Sequence, residues 1–270
     1  MKVFVIDLAK CNGCYACQIV CKDEHVDNDW SPYAKPQPTT GQFWMKVAQK
    51  TVGSVPKVRV NYTPTPCMHC DNPSCVEASN GAVYKRPDGL VIIDPERAQG
   101  QKQIVEACPY GVIYWNDSLN IPQKCTGCAH LVDLNQTPRC VEACATDAIK
   151  FGEEDDLKDL IAKAEVMQPE SGCRPRVYYL NMPKNFVAGE VWDPSVDECL
   201  EGTAITLTAT NGGKKLETTS DEFGDFWFRK LEDGEYTLKI EKDGYFPFEI
   251  PQLSVSDSVN IGDVALKLLI

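Results

Sequence analysis

Apolar and polar positions alternate over short distances along most of this chain. VFVID near the start, GLVIID around residue 91 and GVIYW around residue 113 are short apolar runs bounded by turn residues, which predicts brief strands. QFWMKVAQ and KVRVNY, inside a stretch rich in proline and aromatics, predict a hairpin. Helical spacing is sparse. It stands out after Glu153-Glu154-Asp155-Asp156, where Leu157, Leu160, Ile161 and Ala164 recur on one face and the acidic run suits a helix start. RVYYL at 176–180 predicts a further strand, within a connector at 166–189.

From about residue 190 the texture changes. ITLTA, KKLETT, DFWFRKL, YTLKIEK and FPFEI alternate and are separated by NGG, SDEFG, EDGE and DGY, the cadence of a small antiparallel β-sandwich. The fold class expected is therefore α+β: a module of short strands and little helix over 1–165, with an insertion at 22–66, then an acidic β-sandwich over 190–270.

Charge supports that division. Residues 190–270 hold 17 acidic against 7 basic side chains, and residues 1–189 hold 22 against 20. The overall net charge of −12 carries no basic footprint for nucleic acid. No apolar run approaches the roughly 18 residues of a membrane span. The apolar stretch in MKVFVIDLAK is too short for a secretory signal, so a cytoplasmic protein is expected.

Cysteine changes the picture most. Twelve of the 14 cysteines lie between residues 11 and 144, in clusters with metal-ligand spacing. Cys11, Cys14, Cys17 and Cys21 follow the C-x2-C-x2-C-x3-C run of bacterial ferredoxins, in which the fourth cysteine serves the partner cluster. Cys67, Cys70 and Cys75 begin a second group, with Ser79 in the fourth position. Cys125, Cys128, Cys140 and Cys144 form another, which taken alone would also suit a structural zinc ion. A degenerate group ends in Cys108, with Ala98, Gln101 and Ile104 where its first three ligands would fall.

The phrase Val-Glu-Ala occurs three times, at 76–78, 105–107 and 141–143, followed by Ser79, Cys108 and Cys144. Crossing the fourth ligands between first and last groups, and between second and third, uses all twelve cysteines. The sites expected are Cys11, Cys14, Cys17 with Cys144; Cys21 with Cys125, Cys128, Cys140; and Cys67, Cys70, Cys75 with Cys108. A fourth, made of Ser79, Ala98, Gln101 and Ile104, has no thiolate, so three [4Fe–4S] clusters are predicted. The other pairings, and ligation within groups, complete only two sites.

Outside these groups little carries chemistry. Cys173 and Cys199 read as incidental thiols, His69 as a packing or hydrogen-bonding neighbour of a cluster, and His25 and His130 as structural. There is no G-x-S-x-G, H-E-x-x-H or glycine-rich nucleotide loop, so a catalytic role for this chain on its own is not expected.

The layout carried by CNGCYACQIVC, CMHCDNPSC, EACPYG, CTGC and CVEAC resembles the iron–sulfur subunit of the dimethyl-sulfoxide-reductase family of molybdenum enzymes. That resemblance implies two double-ferredoxin modules relaying electrons to or from a large catalytic subunit that holds the molybdopterin cofactor. The chain departs from the four-cluster pattern by lacking one ligand set and by adding the C-terminal domain, which resembles a carboxypeptidase-regulatory or transthyretin-like fold. Both departures point within the family to a branch that moves a hydroxyl between phenols without net oxidation. Two other roles remain open: a respiratory relay to a quinone-reactive membrane subunit, and clusters that serve only as structural staples.

Overall fold

A computed structural model describes residues 1–269 and divides them into two compact units. The first comprises 1–49 with 62–182, and the second comprises 50–61 with 183–270.

In the first unit, β1 (Lys2–Asp7) is the expected VFVID strand. The loop after it enters α1 (Ala16–His25), which places Cys17, Cys21 and His25 on one buried face at i, i+4 spacing. The expected hairpin forms from β2 (Lys46–Ser54) and β3 (Lys57–Thr65). Four one-turn helices follow: α2 (Ser74–Glu77), α3 (Gln103–Glu106), α4 (Ala129–Val132) and α5 (Arg139–Glu142). Between them lie two small hairpins, β4 (Val83–Lys85) with β5 (Val91–Ile93) and β6 (Tyr114–Asn116) with β7 (Ile121–Gln123).

β8 (Ile149–Glu153) leads into α6 (Glu154–Ile161), whose first turn carries the three acidic residues that favour a helix N-terminus. β9 (Val177–Leu180) completes a sheet of order β8-β1-β9, antiparallel at Phe4–Phe151 and parallel at Phe4–Val177. Arg176, buried beside this sheet, donates to Glu154 at 2.7 Å, to Asp71 at 3.2 Å and to the Lys2 carbonyl at 3.2 Å. The core packs Phe4, Ile6, Leu8, Trp44, Val177 and Tyr179 in one cluster with seven buried cysteines.

The second unit is a two-sheet sandwich. One sheet sets β10 (Asn185–Asp193) between β11 (Glu198–Cys199) and β14 (Asp225–Leu231), with β17 (Val259–Ala265) also pairing β10. The other runs β13 (Lys215–Thr219), β12 (Ala204–Ala209), β15 (Gly234–Glu241), β16 (Phe248–Val255). Val187, Val191, Leu207, Phe226, Leu238 and Ile240 fill the space between them.

The structure differs from the expected layout in four places. The sandwich is not wholly antiparallel, because β17 runs parallel to β10, with Val187 opposite Val259. It starts before residue 190, since β10 begins at Asn185: the acidic texture starts later than the apolar run FVAG that the strand buries. The stretch 166–189 is accordingly more than a connector, holding β9 and the start of β10. Nor does the 22–66 insertion stay together. Residues 50–61 group with the sandwich, where Val52 packs on Phe186 and Ala188, and Lys57 pairs with Asp225.

Candidate metal centres

Three short loops with a common backbone plan present the first cysteines of each group. In CNGC, CMHC and CTGC the residue before the second cysteine is left-handed: Gly13 at φ 71°, His69 at 44° and Gly127 at 66°. That conformation turns the N–H inward toward the first sulfur. The His69 N–H lies 3.4 Å from Cys67 Sγ and the Gly127 N–H 3.3 Å from Cys125 Sγ, while the Gly13 N–H bonds Cys11. Glycine is required at 127, where a Cβ would sit 2.7 Å from Leu90 Cδ2.

A second shared plan presents the last position. Each Val-Glu-Ala copy closes a one-turn helix, and the next residue returns its N–H to the valine carbonyl: Ser79 at 3.2 Å, Cys108 at 3.4 Å, Cys144 at 3.2 Å. Each side chain then accepts the N–H four residues on. Ala148 donates to Cys144 Sγ at 3.2 Å, Val112 donates to the Cys108 sulfur, and Val83 donates to Ser79 Oγ at 3.0 Å. The serine thus occupies the sulfur's place in an unchanged frame.

These plans bring the cysteines into three neighbourhoods. Cys11, Cys14, Cys17 and Cys144 line one cavity, and Cys67, Cys70, Cys75 and Cys108 line another. Cys21, Cys125, Cys128 and Cys140 are each buried, and Cys125 and Cys128 are the charges that most affect both Cys21 and Cys140. Cys144 thus lines the first cavity and is not among the groups that act on Cys140. Among the described residues, no three His, Cys, Asp or Glu side chains converge as ligands of a single ion would.

The helices set the spacing between neighbourhoods. α1 gives Cys17 to the first and, one turn or about 6 Å further on, Cys21 to the second. α5 does the reverse, giving Cys140 to the second, with Cys144 just past its end in the first. α2 and α3 relate in the same way, through Cys75 and Cys108, about the third neighbourhood. The partner positions on its far side are Ser79 and Ile104, and Ala98 and Ile104 are wholly buried in an apolar cluster with Val83, Ile93 and Ile113. Gln101 stays half-exposed, its amide donating to the Arg97 carbonyl at 2.8 Å.

Several of these thiols resist ionisation, whereas at Cys144 burial is outweighed by hydrogen bonds from Thr146 and the Ala148 N–H, which hold its pKa below the usual thiol value. Burial first, and then mutual repulsion, push Cys17 and Cys128 up to about 12. Burial likewise dominates at Cys75, up to about 12, and at Cys125, up to about 11. Soft, crowded sulfurs of this kind release their protons to a bound cation, and the inward N–H groups offset the charge left behind. No disulfide joins any of the fourteen cysteines. The donor set, the N–H···S bonds and the apolar walls fit iron–sulfur clusters.

Sequence reading missed two groups and under-read a third. Lys124 is buried between the second and third neighbourhoods, a burial that a lysine next to a cysteine does not advertise. Cys173, read as incidental, lies close enough to Cys70 to raise its pKa, behind burial and Cys67. His69 was expected to pack near a cluster. It does more, accepting the Val91 N–H at Nδ1 (3.0 Å) and pointing Nε2 at Cys125 Sγ (3.9 Å). His25 is buried, and His130 is bound to Glu24 at 3.0 Å.

Known proteins resemble this chain in both of its parts. Residues 58–154 match the 4Fe-4S dicluster domain, and residues 187–267 the carboxypeptidase regulatory-like domain. The pyrogallol hydroxytransferase small subunit of Pelobacter acidigallici is 41% identical over 98% of this chain and 96% of its own. A tetrathionate reductase subunit of Salmonella typhimurium is 33% identical over 68% of this chain and 73% of its own. For an anaerobic dimethyl sulfoxide reductase subunit of Escherichia coli the figures are 31%, 67% and 96%. The chain thus belongs to the family of iron–sulfur subunits of dimethyl-sulfoxide-reductase type that includes the pyrogallol hydroxytransferase small subunit.

Proposed function

We propose that this chain is the electron-transfer subunit of a heteromeric molybdopterin enzyme, and that it carries three [4Fe–4S] clusters. The ligand sets are Cys11, Cys14, Cys17 and Cys144; Cys21, Cys125, Cys128 and Cys140; and Cys67, Cys70, Cys75 and Cys108. Each cluster, when bound, supplies one-electron chemistry. The chain's residues hold the clusters close together, exclude water and offset charge on sulfur. A large subunit holding the molybdopterin would bind the substrate, and the complex would work in the cytoplasm. No helix among the described residues is long and apolar enough to cross a membrane.

One observation carries the reading. Two links support a row of three: α1 carries Cys17 of the first set and Cys21 of the second, and His69, in the loop of Cys67 and Cys70, lies 3.9 Å from Cys125 Sγ of the second. Beyond the third, where the row would continue, Ser79, Ala98 and Ile104 are buried in place of thiols. A relay closed at that end suits hydroxyl transfer between phenols, pyrogallol and phloroglucinol among them, because no net electrons leave. A respiratory relay needs an exit.

Native purification followed by size exclusion and iron analysis tests the proposal. The expected result is a complex with a larger molybdenum-containing chain and about twelve iron atoms per copy of this chain. A stable, iron-loaded monomer, or iron near sixteen, would overturn it. Freeze-quenched spectra taken during turnover separate a relay, in which clusters change oxidation state, from staples, in which none does.

A further inference from the structure

Lys124 is 2% exposed. Its Nζ donates to the Cys125 carbonyl at 3.1 Å and to the Val91 carbonyl. A buried ammonium is costly unless an opposite charge accompanies it. No carboxylate pairs with Lys124 among the described residues; its ammonium hydrogen-bonds the Cys67 sulfur, and Val91, whose carbonyl it also holds, lines the cavity of Cys67, Cys70, Cys75 and Cys108. Cys125 belongs to the second neighbourhood, and Cys67 and Cys75 to the third.

We propose that Lys124 is a positioning residue that fixes one positive charge between the second and third clusters and raises the reduction potential of both, while leaving the first unchanged. The inference rests on the ligand sets proposed above. Reducing either cluster adds one electron and one negative charge, with no bond made and no proton required. Passage between them oxidises the second by one electron and reduces the third by one. A cation facing both stabilises each reduced form, so it keeps the two potentials high together and favours neither direction of transfer.

The test is an EPR-monitored titration with dithionite of the purified complex, carrying wild-type chain, Lys124→Gln or Lys124→Arg. Iron is counted first, because wild-type complex with fewer than three clusters would overturn the ligand sets themselves. With all iron present, Lys124→Gln should lower the reduced-to-oxidised ratio of two clusters at least tenfold at fixed potential, about 59 mV for a one-electron couple. The third signal should not move, and Lys124→Arg should restore wild-type values. Full iron content with unshifted signals, or an equal shift in all three, would overturn the proposal. Should Lys124→Gln lose iron, Lys124→Arg decides. Retained charge must keep both potentials within a twofold change in that ratio, and a tenfold change refutes the inference.

Discussion

His69 reaches across from the loop of Cys67 and Cys70 to place its Nε2 3.9 Å from Cys125 Sγ in the neighbouring site. Its Nδ1 accepts the Val91 N–H at 3.0 Å, which assigns the ring hydrogen to Nε2 and directs it at the sulfur. Burial holds the ring's pKa well below the ordinary histidine value, and the charges of Lys124 and Lys85 add to that effect, so the donor is neutral. The ring also explains why a bulky residue takes a left-handed position that glycine fills in the two sister loops.

Replacing it separates two effects. His69→Leu strands the buried Val91 N–H, at a cost of about 1–3 kcal/mol, and removes the donor to Cys125. The expected outcome is a lower melting temperature, together with a lower potential for the cluster on Cys125 alone. His69→Gly relaxes the backbone but equally lacks the Nε2 donor to Cys125 Sγ, so it should recover some stability and none of the potential. Equal potentials in both variants and wild type would show that the Nε2 contact does nothing for the metal.

Cys108 stands alone among its would-be ligands, and the ligand sets make a specific claim about it. Cys108→Ser should damage the cluster held by Cys67, Cys70 and Cys75 and spare the other two, reducing iron from about twelve to about eight atoms. The measurement is iron content with EPR of the reduced complex. Loss of the signal that disappears in Cys21→Ser, instead of a separate one, would place Cys108 in the wrong site.

The filled fourth position makes a claim about stability. Ile104 is wholly buried against Cys75, Val83 and Ile113, so Ile104→Ala should cost about 2–5 kcal/mol. Ser79→Ala loses both the bond to the Val76 carbonyl at 2.7 Å and the acceptor for the Val83 N–H, at about 1–3 kcal/mol. Neither change should remove iron, because neither residue is a ligand. Thermal unfolding and iron analysis check both halves. Iron loss in Ser79→Ala would give the hydroxyl a role at the third site.

Spacing carried the expected grouping of the thiols, because the loops and one-turn helices that present them are local structures repeated along the chain. Ser79 was readable for the same reason: Val-Glu-Ala marks the frame even where the sulfur is gone. Contacts made over long separations were not readable. Nothing near Val52 announces that it packs on Phe186, and nothing in VNIGDVA says whether it pairs parallel or antiparallel. Lys124 escaped notice because its environment is supplied by Val91, Cys67 and Cys75, from distant segments. A charged residue in sequence carries no record of its own burial.

His25 gives a prediction in pH. Its ring is 1% exposed, tilted against Trp44 at 4.7 Å and edge-on to His130 at 5.5 Å, with Nδ1 unpartnered. Burial first, and then the neighbouring His130, hold its pKa down to about 3, against 6.5 for an exposed histidine. The folded chain therefore keeps this ring neutral where the unfolded chain protonates it. Between about 6.5 and about 3 the unfolded state binds the extra proton, so stability falls as pH drops through that window. At pH 5.5 the loss from this one group is about 1.4 kcal/mol relative to neutral pH. His25→Gln has no proton to gain and should lose that much less between pH 7.5 and 5.5 in anaerobic urea unfolding, even if it is the less stable protein at neutral pH. Identical pH slopes for variant and wild type would mean that the folded state also accepts a proton on His25.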